Sequence, residues 1–216
     1  MKAQVVEKTK KWPSESGRSL VEILTVVAVA SILVAVAVPQ VISARRLLRS
    51  ASFPREVTAQ LRYARQQAMS QRQAFTFEYD DAAKQITIID HQTSGAGVLA
   101  MSNYPNTAGS ITALTVPVGG GGGLPASDVS FGVPSGITVT SLGDSSTPTA
   151  LTANKLTITF QPDGTIVDAN NNPTNRTLFF YNNKIPNQTA CAISVLGSSG
   201  RIKIWRYTTS AGQYVE

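Results

Sequence analysis

The chain of 216 residues reads as an α+β protein: one long N-terminal helix, half transmembrane and half amphipathic, packed on a mostly antiparallel β-sheet domain. Three observations predict this. From Leu20 to Val38 the sequence is apolar apart from Glu22. From Arg55 onward Val57, Leu61, Ala64 and Ala68 recur at helical spacing. From residue 73 the period changes to two, with Phe75, Phe77 and Tyr79 alternating with Thr76 and Glu78.

The apolar stretch has 19 residues. At the rise of an α-helix it spans roughly 28 Å, close to the hydrocarbon thickness of a bilayer. Lys2, Lys8, Lys10 and Lys11 precede it, which favours a cytoplasmic N-terminus and an exported C-terminal domain. Arg45, Arg46 and Arg49 on the other side weaken that charge argument. A secretory signal carries its small-residue cleavage site after the apolar run. Here Gly17 stands before it, so a cut at Gly17 leaves the apolar helix on the mature chain. The expected layout is a leader over 1–17, a helix over 18–72 with its span at 20–38, and a β-rich domain over 73–216.

Pro39 removes a backbone donor and is expected to kink or loosen the helix; Pro54, after Ser50-Ala51-Ser52, predicts a second interruption. The stripe Val57, Leu61, Ala64, Ala68 should pack on a sheet and leave Arg55, Arg62 and Arg72 exposed. Strands are expected at Lys84–Asp90, 98–102, 111–117, 129–131 with 137–141, 155–161, 165–168, 177–181, 190–196 and 201–207. Pro162-Asp163-Gly164 between two such runs signals a hairpin.

The net charge is +6, and eight arginines (18, 45, 46, 49, 55, 62, 65, 72) fall within Arg18–Arg72, against Glu22 and Glu56. Such a helix suits phosphates, acidic partners or lipid headgroups, or is simply a solvated face. One cysteine, Cys191, precludes an intrachain disulfide and reads as a small core residue. One histidine, His91, reads as a loop or strand-end residue and has no second His or Cys near it to build a transition-metal site. Gly119–Gly123 lacks the Lys-Ser/Thr of a phosphate loop and reads as a loop. Asp168, Asn170, Asn171 and Asn172 offer oxygen atoms, but not at the spacing of a calcium loop. No cofactor is implied, and neither paired carboxylates nor a nucleophile motif suggests an enzyme.

Several residues together resemble the type IV prepilins. Gly17 matches the glycine before the cut, Glu22 falls fifth in the mature chain, and Pro39 falls twenty-second. Arg18 departs from the usual Phe at the new N-terminus, where the family methylates the amine. Within that group the chain is similar to the GspH/FimT family. Three segments carry this likeness: Leu61–Ala68, Ile158–Gly164 and Gly200–Ile204. The resemblance implies a minor pseudopilin of type II secretion or a minor pilin, substrate of a prepilin peptidase. It would assemble with other pilins and an inner-membrane platform, in membrane lipid, with its C-terminal domain periplasmic. A carboxylate at membrane depth costs about 2.5–3.5 kcal/mol. The family's partner for Glu22 is the free amine of residue 18 or that of a neighbouring subunit, which would set the filament register. A snorkelling Glu22 is the alternative.

A second reading is nucleic-acid capture. In the last predicted strand Arg201, Lys203, Trp205 and Tyr207 share one face by the period-two rule, with Arg206 beside them. Cations interleaved with aromatics suit phosphate contact and base stacking.

Overall fold

The computed structural model describes residues 19–94, 110–119, 123–139, 141–168, 170 and 172–216. The leader, Gly17, Arg18, Asn171 and the strand expected at 98–102 lie outside the described residues. The chain divides into two compact units, residues 1–43 and 44–216.

Helix α1 runs from Leu20 to Gln71. In the first unit its apolar side chains are exposed, from Leu20 to Ile42, and by length and composition it could cross a membrane. The hydroxyls there bond back to their own helix: Thr25 Oγ1 to Glu22 O, Ser31 Oγ to Val27 O and Ser43 Oγ to Pro39 O. These bonds satisfy the hydroxyls without water. The helix continues through Pro39 and Pro54, so the interruption expected at Pro54 is not found. Phe53 and Pro54 are both buried, and Phe53 meets Phe180 edge-on with ring centroids 5.0 Å apart. That packing outweighs the one hydrogen bond a helical proline forgoes. Arg72, at φ 53°, ends the helix in the left-handed conformation.

In the second unit two antiparallel sheets share one core with α1. The first has the order β3-β2-β1-β5, with β1 at Gln73–Asp80, β2 at Gln85–Ser94, β3 at Ile111–Pro117 and β5 at Lys155–Phe160. The second has the order β4-β6-β7-β8-β9. Here β4 is Val129–Phe131, β6 Arg176–Asn182, β7 Cys191–Val195, β8 Ile202–Thr208 and β9 Gln213–Val215. A short helix α2, Pro186–Thr189, joins β6 to β7. Registers such as Phe77 opposite Ile88 and Ile158 align the apolar side chains. These enclose Val57, Leu61, Ala64 and Ala68, each fully buried, and Arg55, Arg62 and Arg72 are exposed as expected.

The second sheet buries its other face as well. Phe179, Ala192 and Trp205 lie there under Leu142, with Val133, Val139 and Tyr214 against them. Several strand expectations need correction. Residues 165–168 form only isolated bridges, Phe160 to Ile166 and Val167 to Pro173. After Gly164 the chain turns instead toward Gly197, whose carbonyl accepts from Ile166 N. Residues 137–139 are not in a strand, and β9 was not foreseen. His91 lies inside β2 and is buried, rather than in a loop or at a strand end.

Candidate functional site: the helix surface and strand β8

Glu22 lies in the first turn of α1 and is exposed. Its N–H donates to Ser19 O at 2.9 Å. At this position the helix dipole favours a carboxylate, so the local backbone already accommodates the one charge of the apolar stretch. Pro39 is exposed too, leaving both assembly candidates on the helix surface.

The arginines separate into two kinds. Arg45, Arg46, Arg49, Arg55 and Arg62 are exposed. Arg65 is partly buried and reaches across the fold: its Nε donates to Gly164 O at 3.3 Å and its Nη2 to Ser199 O at 2.9 Å. The three segments that carry the family likeness therefore meet at one place. A Cβ on Gly200 would stand 2.0 Å from Gly164 O and 2.5 Å from Arg65 Nε. A Cβ on Gly164 would stand 2.8 Å from Met69 Sδ. Both glycines have positive φ, so shape and backbone each call for glycine. Arg65 was missed as a structural residue. Its position beside Ala64 and four residues after Leu61, at the border of the buried stripe, was the available signal.

Along β8 and the residue before it, the alternation places Arg201, Lys203, Trp205 and Tyr207 on one face; Arg201 stays exposed, and the rest of that face is largely occupied. Trp205 is 6% exposed, and its Nε1 donates to Ser194 Oγ at 2.9 Å. Lys203 Nζ lies 2.6 Å from Glu216 Oε2 and 5.1 Å from the Trp205 ring centroid. Arg201 lies 3.9 Å from Glu216 Oε1, and Tyr207 packs edge-on against Tyr214. The ring meant for base stacking is thus a core ring. Arg206 is exposed on the opposite face. There it lines a groove of about 300 Å³ with Leu47, Leu48, Ala51 and Pro54.

On the Trp205 side, Ser194 Oγ also donates to Asp144 Oδ2, and Ser146 N donates to Asp144 Oδ1 at 3.0 Å. Burial would raise the Asp144 carboxyl, but the hydrogen bonds from Ser194 and Ser146, with the Lys203 charge, hold it below the usual range. Cys191 is a core thiol, its Sγ directed at Phe180 O. Burial pushes it up to about 12, against the opposing charge of Arg206. His91 Nε2 and Thr159 Oγ1 each lie 2.7 Å from Thr76 Oγ1. Burial pushes this imidazole below its ordinary value, and Asp90 acts the other way.

No group of three or more His, Cys, Asp or Glu that could hold a metal ion occurs among the described residues. Asp168 Oδ1 accepts from Asn170 N and Asn172 N, so that loop is organised by its own backbone.

The sequence model of the family described as type II transport protein GspH matches residues 55–200. No curated protein matches the chain. Among solved structures, the type IV minor pilin FimU of Pseudomonas aeruginosa (strain PAO1) matches in two crystal forms. One is 19% identical, covers 77% of this chain and 92% of that chain, and gives a TM-score of 0.41. The other is 18% identical, with 77% and 97% covered and a TM-score of 0.41.

Proposed function

The chain belongs to the GspH family of type II transport proteins, and from that premise we propose that it is a structural subunit, a minor pseudopilin or minor pilin. A prepilin peptidase cuts after Gly17, and the mature chain begins at Arg18. Leu20–Val38 holds it in the inner membrane with the domain in the periplasm. Lateral packing of α1 against other pilins, guided by the assembly platform, then carries it into a pseudopilus or pilus. Glu22 meets the amine of residue 18, its own or a neighbour's, and sets the register. The peptidase supplies the catalytic acids, so this chain is substrate rather than enzyme.

The single observation that carries the reading is the division of α1. Its residues from Leu20 to Ile42 keep their apolar side chains exposed, while Val57, Leu61, Ala64 and Ala68 of the same helix are buried. Exposed apolar surface on that scale is stable only against lipid or other apolar helices. The nucleic-acid alternative has less support. Of its groups on β8, Trp205 is covered and Lys203 is paired with Glu216.

The test is the intact mass of the chain after co-expression with a prepilin peptidase, beside Gly17→Ala. The expected product begins at Arg18 and is absent from the variant. A further 14 Da would mark methylation of the new amine. An uncut chain, under conditions that process a known prepilin, would leave an ordinary single-span protein and remove the assembly mechanism.

A further inference from the structure

Three arginines, Arg45, Arg46 and Arg49, stand just past the apolar part of α1. They occupy little more than one helical turn. Arg45 and Arg49 are four residues apart and share a stripe, and Arg46 lies beside them at a spacing of three from Arg49. All three are exposed, and none is in an ion pair among the described residues. No acidic residue occurs between Pro39 and Pro54, so the sequence supplies no neighbouring carboxylate to neutralise them.

Their placement along the helix points to a ligand. Val41 and Ile42 are exposed and carry the apolar surface to within three residues of Arg45. If hydrocarbon ends near Ile42, Arg45 lies about 5 Å further along the axis and Arg49 about 10 Å. The headgroup layer is roughly 5–7 Å thick on each side of the hydrocarbon. Arginine stems can also lie back along apolar surface and set the guanidinium at headgroup level. A guanidinium presents a fixed fork of donors that matches phosphate oxygens, and it keeps its charge at any working pH.

We propose that Arg45, Arg46 and Arg49 form a binding site for the phosphodiester headgroups of anionic phospholipids. The proposal rests on the reading of the apolar part of α1 as a bilayer span, with its hydrocarbon contact carried past Val38 to the exposed Val41 and Ile42. It also resolves the conflicting charge signal in the sequence: these cations are held at the far side of the span by lipid phosphate. Arg55 and Arg62 begin two to three turns further along, beyond the reach of the headgroups, and take no part.

The full chain is reconstituted in phosphatidylcholine bilayers doped with spin-labelled phosphatidylglycerol or spin-labelled phosphatidylcholine. The motionally restricted fraction of each probe is read by electron paramagnetic resonance. The expected result is a preference for phosphatidylglycerol on the order of fivefold, the effect of about one cation at a charged surface taken as a lower bound for three. The triple variant R45Q/R46Q/R49Q brings the ratio to about one, while R55Q/R62Q leaves it unchanged. A restricted component with no headgroup preference in the wild type would overturn the proposal and leave the span intact. Absence of any restricted component would instead remove the span on which it rests. An equal loss in R55Q/R62Q would reduce the effect to net charge and overturn the site. Abolition of the preference by excess inorganic phosphate would reassign it to a general phosphate site, and abolition by a duplex oligonucleotide would reassign it to nucleic acid. Either outcome would overturn it.

Discussion

Replacing Gly200 by alanine tests whether the junction of Arg65, Gly164 and Gly200 holds the domain together. The added Cβ would stand 2.0 Å from the Gly164 carbonyl oxygen, a backbone atom that cannot swing aside. Alanine at φ 60° costs about 1–2 kcal/mol from the left-handed conformation. Shifting the 161–164 turn breaks the Arg65 bond to Gly164 O, worth about 1.5–3 kcal/mol for a charged donor. The sum is roughly 2.5–5 kcal/mol. Gly212 provides the control, since it has φ 64° and nothing within 4 Å of its notional Cβ. Gly212→Ala therefore carries the conformational cost alone, and the gain from a stiffer unfolded chain cancels between the two variants. Urea unfolding of the detergent-solubilised chain, followed by near-ultraviolet circular dichroism, should separate them by about 1.5–3 kcal/mol. Adding Arg65→Ala to Gly200→Ala should cost less than Arg65→Ala alone, because the bond to Gly164 O is already lost and only the bond to Ser199 O remains to be removed. Equal destabilisation at the two glycines, or strict additivity with Arg65→Ala, would refute the reasoning.

Leu61→Ala, at the centre of the buried stripe, should cost about 3–5 kcal/mol in the same unfolding experiment; a loss under 1 kcal/mol would mean the helix does not carry the core. Cys191 should resist a thiol reagent at pH 8 until denaturant is added, since its thiol is buried and pushed up to about 12; rapid labelling of the folded chain would contradict this. His91 should titrate below its ordinary value near 6.5. A depressed folded-state value means that its contribution to stability is complete above the unfolded value and falls away as the pH drops. Imidazole resonances that titrate at or above 6.5 would disprove it.

Much of the fold was legible because short-range periodicity reports burial. Val57, Leu61, Ala64 and Ala68 on the helix, and Phe75, Phe77 and Tyr79 on β1, are all core residues. What could not be read depended on distant partners. The separation into two sheets is set by pairings such as β1 with β5 and β4 with β6, which no local pattern encodes. Pro54 misled because its local cost is visible in sequence, whereas the compensating contact of Phe53 with Phe180 lies far along the chain. Trp205 misled in the same way: period two gave its face correctly, but not that Leu142 and Tyr214 would cover that face. Arg65 looked like the other helix arginines, and only the approach of Gly164 and Ser199 sets it apart.

The strand order also governs when the core can close. Most neighbours are hairpins near in sequence: β1 with β2, β2 with β3, and the run β6 to β9. Two joins are remote. β1, next to the edge of its sheet, receives its second neighbour only from Lys155–Phe160, and Val129–Phe131 waits for Phe180–Asn182. Closing loops of this length is slow and entropically costly. A chain synthesised from its N-terminus therefore presents the stripe Val57 to Ala68 long before both sheets exist to cover it. During that interval the helix is sticky along its whole length, and the rate of the two long-range closures sets how long it stays vulnerable to aggregation.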